Sequence, residues 1–385
     1  MILLVALAAA AGLYACLLNG KDWDMTAVLD SMRELPGGLG ALPPLTTPPG
    51  NPQTPPKIAL GKALFFDKQL SGDRSISCAT CHAPEKGFSD GKPRAIGFNG
   101  KELPRHSPTV LNAAYNSFQF WDGRAASLEE QARGPISSAA EMNMADESEL
   151  IRRLQADPRY QGKFLQIFGE GPSLNNVAKA IAAYERTLVT RNSRFDQYAR
   201  GNKKALTHQE KVGLSLFVGK ARCSQCHSGP NFTDNKFYNL GVAEASDAGR
   251  YEITKLPDDL GAFKTPGLRD VTRHAPYMHD GSLATLEAVI DYYDRGGDDA
   301  KNKSKLLLKL DLTQEEKHAL LAFMMTLDGE LPGQKSAQSL RKGKKDREIG
   351  SSADRIIGPS GQHSNCGRES VDLRDPACSD KWAEY

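Results

Sequence analysis

One pentapeptide pattern occurs twice in this chain, as Cys78-Ala-Thr-Cys81-His82 and again, about a domain's length downstream, as Cys223-Ser-Gln-Cys226-His227. It constrains the fold more than any other feature, because Cys-x-x-Cys-His is the pattern through which a c-type haem is attached. Two thiols at that spacing can both add to the vinyl groups on one edge of a porphyrin, and the adjacent imidazole then falls over the ring to bind the iron. Cys-x-x-Cys by itself also serves zinc sites and dithiol redox centres. The histidine that follows directly in both copies argues against those uses. The expectation is two covalently bound c-type haems, attached at Cys78, Cys81, Cys223 and Cys226, with His82 and His227 as iron ligands.

The 385 residues leave room for two domains. With 39% hydrophobic and 25% charged residues the composition is that of a folded globular protein. A net charge of +2 gives no reason to invoke nucleic acid. Residues 1–20 form an apolar run of signal-peptide length ending in small residues, too short for a confident membrane span. Three readings stay open for it: a cleaved signal, an uncleaved anchor, or a lipoprotein leader that leaves Cys16 acylated. All three place the protein outside the cytoplasm, in the periplasm, with the membrane involved only through this segment. Cys366 and Cys378 remain in the C-terminal tail, where an oxidising compartment would let them pair; two free thiols are the alternative.

Residues 21–56 read as a Pro/Gly-rich linker, since Leu35 to Pro56 cannot hold a helix or a central strand, and order is expected from Lys57. Ile58, Leu60, Leu64 and Phe65 give a short amphipathic helix before the first motif, and residues 83–120 read as long loops. Helical periodicity returns from Leu128, at 150–154 and from Val177 to Leu188. The polar stretch between Asn192 and Asn202 marks a domain boundary. Thr207 and Glu210 form a capping box for a helix that delivers Leu214, Leu216 and Phe217 before the second motif, and two further helices start near Thr285 and Thr313. The fold class is mostly α: two cytochrome c-like haem domains with long loops, 57–200 and 201–330, followed by a basic tail, 331–385, that reads as solvated or as a docking arm for an acidic partner.

Beyond the pentapeptides, the chain carries Leu70-Ser-Gly-Asp-Arg-Ser-Ile-Ser-Cys78, Ser107-Pro-Thr-Val-Leu-Asn112, Phe120-Trp-Asp-Gly-Arg-Ala125, Pro135 with Glu141-Met142, Phe263-Lys-Thr-Pro-Gly-Leu-Arg269 and Ala275-Pro-Tyr-Met-His-Asp-Gly281. From about Asn51 to Gly329 it resembles the superfamily of bacterial di-haem cytochrome c peroxidases and MauG. The resemblance implies that the first haem reacts with hydrogen peroxide. His82 would be its proximal ligand, Gln131, Pro135 and Glu141 would line an open far side, and Trp121 would lie between the haems. The chemistry agrees, because splitting peroxide needs a group that moves a proton between its oxygens, and a partly buried carboxylate such as Glu141 can do that. Without the resemblance, Trp121 beside Phe118 and Phe120 reads as core.

The second haem decides the activity. Relatives supply its other ligand from the helix after Gly281, as methionine in the peroxidases and tyrosine in MauG, and the family spacing lands on Tyr293. Helical geometry puts Tyr293 on one face with Leu286, Val289 and Ile290 and turns Tyr292 about 100° away, toward the wetter side of Asp291 and Asp294. Met278, Met324 and Met325 are the alternatives. A thioether raises the iron's potential and suits electron entry, whereas an anionic phenolate favours oxidised iron and suits storage of an oxidising equivalent.

Tyr293 therefore points to a MauG-like enzyme that uses peroxide to oxidise an aromatic residue, tryptophan foremost, on a protein partner through an oxidised di-haem state. The alternatives are a peroxidase fed by a small c-type cytochrome or copper protein, and a non-enzymatic di-haem carrier. Relatives also hold calcium between the haems. Here His106 and His274 replace the usual asparagine and threonine, leaving the carbonyls of His274 and Pro276 for such an ion, or the two imidazoles for a transition metal, or two solvated loop histidines. His279 is expected near the second haem, and His208, His318 and His363 carry no argument.

Overall fold

The structure is a computed structural model in which residues 25–32, 34–242 and 247–332 are described. The leader with Cys16 and the tail with Cys366, Cys378 and His363 lie outside the described residues. Among the described residues no helix is long and apolar enough to cross a membrane.

The longer helices are α1 (Met25–Ser31), α2 (Pro55–Phe65), α3 (Leu128–Ser137), α4 (Glu147–Ala156), α5 (Leu174–Glu185), α6 (His208–Val218), α7 (Leu286–Asp294) and α8 (Gln314–Met325). Sheet is confined, among the described residues, to one antiparallel pair of two-residue strands, Phe237–Tyr238 and Phe263–Lys264. The helix starts follow local chemistry. Thr207 and Thr313 close capping boxes with Glu210 and Glu316, and the Thr285 hydroxyl accepts from the Ala288 amide.

Among the described residues, side chains gather into two large cores and a small cluster of Ala113, Leu128 and Ala182. One large core runs from Leu60 to Leu188, and the other takes Phe195 to Leu327 together with Leu29, Leu35 and Leu39. That last trio corrects the reading of 21–56 as a linker with order starting at Lys57. Asn51 is buried as well, and its amide donates to Glu129 and to the Lys179 carbonyl. Leu29 is buried from helix α1, and Leu35 and Leu39 are buried from irregular chain around Pro36, because the hydrophobic effect does not require regular backbone.

The two halves share one plan. In each, a helix ahead of the motif crosses the last long helix of its half, α2 against α5 and α6 against α8. Both crossings require glycine: a Cβ on Gly61 would overlap the Ala180 carbonyl, and one on Gly213 would overlap that of Ala319. One turn further, Phe65 meets Tyr184 edge to face at 5.3 Å, and Phe217 meets Phe323 edge to face at 5.3 Å.

The loops repeat too. The bridge Gln119–Ala125 has its counterpart in Tyr277–Leu283, and the stretch 105–135 runs in register with 263–293. Asn112 and Asp270 occupy equivalent left-handed positions, each with φ 59°, and meet through a buried hydrogen bond of 3.1 Å that joins the two halves.

Candidate functional site

Each Cys-x-x-Cys segment is a single helical turn that ends by presenting its histidine. The His82 amide donates to the Cys78 carbonyl at 2.9 Å, and the His227 amide donates to that of Cys223 at the same distance. The imidazoles are then fixed by the backbone that follows. His82 Nδ1 lies 3.3 Å from the Phe88 carbonyl and His227 Nδ1 lies 3.0 Å from that of Phe232, with Phe88 and Phe232 both in the left-handed region. A carbonyl can only accept, so Nδ1 carries the proton and Nε2 is the nitrogen left for a metal. Burial lowers the pKa of both rings and keeps them neutral, the ligating form.

The second motif opens onto a large, mainly apolar cavity that takes in Cys223, Cys226, His227 and Tyr293. Two adjacent tyrosines on α7 have different fates here, and one sequence expectation is corrected. Tyr292 does not face water: it is 2% exposed, its hydroxyl donates to the Leu240 carbonyl at 2.9 Å and accepts from the Asp298 amide at 3.2 Å. The loops at 240 and 297 cover a helix side that periodicity alone left open. Tyr293 lines the same cavity as Cys223 and Cys226, and burial pushes its phenol well above the ordinary range. Of the candidate methionines, Met278 and Met324 reach the cavity, while Met325 is 60% exposed.

In the first half, Gln131 and Pro135 stand one turn apart on α3, and Glu141 follows in the next loop. The register between halves pairs Gln131 with Val289 and Pro135 with Tyr293. A proline thus stands in the first half where the second presents a phenol, and proline has no side-chain donor atom. Glu141 Oε1 sits 3.7 Å from Arg124, and Oε2 is buried without a partner. Desolvation raises the pKa of this carboxyl, with Arg124 opposing and Asp122 adding to the rise.

Trp121 lies at the seam. Its indole N–H donates to the His106 carbonyl at 2.9 Å, its own carbonyl accepts from the Lys264 amide at 2.7 Å, and its ring meets His279 edge to face. It does not stack on Phe118, which pairs with Phe237, nor on Phe120, which packs under Arg124. His279 stacks on Phe263 at 3.6 Å in the wall of the second cavity, and burial lowers its pKa to about 4.

His106 and His274 are not solvated loop histidines. His106 is 4% exposed, with Nδ1 donating to the Lys92 carbonyl at 2.7 Å and Nε2 facing the Ser89 hydroxyl at 3.4 Å. His274 has a buried Nε2 without a partner and a pKa lowered to about 4 by burial. The Ser89 hydroxyl donates to the Ser107 carbonyl at 2.7 Å, so its approach to His106 Nε2 is a long contact that leaves that nitrogen's lone pair unused. Among the described residues no group of three or more His, Cys, Asp or Glu side chains could hold a metal ion.

Haem fits this arrangement at both motifs. The thiol pairs lie beside neutral imidazoles with Nε2 spare, the second pair opens onto an apolar cavity, and in the first half the carboxyl oxygens Glu141 Oε2 and Glu185 Oε2 are buried without partners. Sequence reasoning missed Glu185, Lys264 and the Phe263–His279 stack. The in-register repeat of 105–135 in 263–293 was the signal that could have directed attention to the last two.

Fold and site thus define a two-haem oxidoreductase, and comparison with known proteins agrees. Residues 55–204 match the family model of the di-haem cytochrome c peroxidases. The chain is 45% identical to the methylamine utilization protein MauG of Methylorubrum extorquens over 74% of its own length and 81% of that protein's. It is 41% identical to the cytochrome-c peroxidase IdrP1 of Pseudomonas sp. strain SCT over 75% and 85%. The crystal structure of a MauG-like protein associated with microbial copper homeostasis superposes with TM-score 0.70 at 35% identity, covering 75% of this chain and 94% of that one. The chain belongs to the di-haem cytochrome c peroxidase and MauG family, and it is a haem oxidoreductase.

Proposed function

We propose that this chain is an exported, MauG-like enzyme that uses hydrogen peroxide to oxidise an aromatic residue, tryptophan foremost, on a protein partner. The observation that carries the reading is the division of labour on α7: Tyr292 spends its hydroxyl on Leu240 and Asp298, and Tyr293 lines the second cavity together with Cys223, Cys226 and His227. Two haems, held covalently at the four cysteines and ligated by His82 and His227, supply the redox chemistry.

The protein's own residues do the rest. Pro135, which has no donor atom, would leave the first iron open for peroxide, Gln131 would line the approach, and Glu141 would move the proton between peroxide oxygens. Tyr293 would hold the second iron through an anionic oxygen, a ligand that favours oxidised over reduced iron and would make electron entry from a small carrier unfavourable. Trp121, tied to His106 on one side and Lys264 on the other, bridges the two centres. A carrier without catalysis would need both irons fully ligated, and Pro135 argues against it.

Met278 and Met324 in the wall of the second cavity favour a second reading, a cytochrome c peroxidase fed by a small c-type cytochrome or copper protein. Peroxide turnover with a reduced small c-type cytochrome separates the two. The native protein is expected to be slow and Tyr293→Met faster by about tenfold or more, a barrier change of about 1.4 kcal/mol. Mass spectrometry of periplasmic proteins incubated with native enzyme and peroxide should show oxygen-bearing or crosslinked tryptophan. Rapid native turnover that Tyr293→Met does not raise would overturn the proposal.

A further inference from the structure

Glu185, the last residue of α5, is 3% exposed, and its Oε2 is buried with no hydrogen-bond partner. The repeat between halves says where it points. Gly61, Phe65, Ala180 and Tyr184 match Gly213, Phe217, Ala319 and Phe323, so the residue after Tyr184 matches the residue after Phe323, which is Met324. Met324 lines the cavity at the second motif. Glu185 stands in that place in the first half, and its carboxyl is close enough to the Cys78 thiol to disfavour the thiolate. One half therefore places a thioether in the wall of its cavity, and the other buries an ionisable acid at the matching position.

We propose that Glu185 is a proton-holding group of the first haem's pocket, releasing its proton when that haem loses an electron and taking one back when the electron returns. The balance is one proton to solvent for each electron withdrawn, with a redox mediator or peroxide as oxidant. A positive charge gained at the porphyrin favours the carboxylate beside it, and desolvation favours the acid when that charge is absent. The groups facing Glu185 are few. Arg186 on its own segment lowers its pKa, Glu129 on α3 raises it, and Cys78 and Tyr184 are also close; burial dominates and lifts the carboxyl to about 8. Arg186 is drawn away by Glu129, at 2.8 Å, so it does not neutralise Glu185. The inference rests on haem at the first motif and not on which reaction that haem performs.

The test is a potentiometric titration of each haem in the holoprotein as a function of pH, native against Glu185→Gln and Glu185→Met, the latter importing the side chain of the other half. In the native protein the first haem's potential should fall as pH rises through the region about pH 8. Both variants, which cannot ionise, should hold the potential at its acid-side value throughout, with the second haem's titration unchanged. A native-like slope surviving in both variants overturns the proposal, as does a native protein without slope in that range. Failure of both variants to take up the first haem while keeping the second also overturns it, in favour of a role in assembly.

Discussion

Glu141 shows how surroundings can fit one side chain for the task the proposed function gives it. Arg124 holds one carboxylate oxygen at 3.7 Å, while the other is buried without a partner. Because burial raises its pKa, the base form needed to accept peroxide's proton is lost at a higher pH than for a solvated glutamate, whose pKa is about 4.3. The rate of reaction of the ferric first haem with peroxide should therefore fall as pH drops through a value above the ordinary carboxylate range. Glu141→Gln should remove that acid limb and slow the reaction by about 10²–10⁴-fold, read by stopped-flow absorbance. A variant as fast as native enzyme would assign the proton transfer to another group. At this scale the sequence was most legible where spacing itself is chemistry, as in the two Cys-x-x-Cys-His segments. It was least legible where a residue's meaning depends on what folds over it: Tyr292 looked wet until the loops at 240 and 297 covered it, and nothing local marks Glu185 as buried.

Helices were legible for two reasons that act at short range. Capping hydroxyls at Thr207, Thr285 and Thr313 mark starts, and apolar periodicity marks the inward face. The crossings of α2 on α5 and α6 on α8 were not legible, since a glycine in a helix looks like a defect until the partner backbone is seen against it. Gly61→Ala and Gly213→Ala should each destabilise the protein by about 1–3 kcal/mol, because the new methyl meets a backbone carbonyl that cannot swing aside. Denaturant unfolding measures this, and a loss below about 0.5 kcal/mol at either site would mean the helices separate without cost. The segment 25–42 escaped notice for the opposite reason: Leu29 sits on the short helix α1 ahead of the prolines, and Leu35 and Leu39 have neither helical nor strand period, yet all three complete the second core.

For the whole molecule, duplication explains both the likeness and the difference of the two halves. The same helix crossing, the same histidine tether and the same loop recur, and Asn112 meets Asp270 where the halves join. Against this shared frame a few exchanges stand out: Pro135 for Tyr293, Trp121 for His279 and Glu185 for Met324. They fall where the cofactors belong, so under the proposed function one scaffold would support an open iron and a closed one. Tyr293 as oxygen ligand to the second iron is the claim on which the functional reading turns. Low-temperature EPR of the resting ferric protein, native against Tyr293→Met, tests it most directly. One high-spin and one low-spin signal are predicted, with only the low-spin signal changed by the substitution; a low-spin signal identical in the two proteins would contradict it.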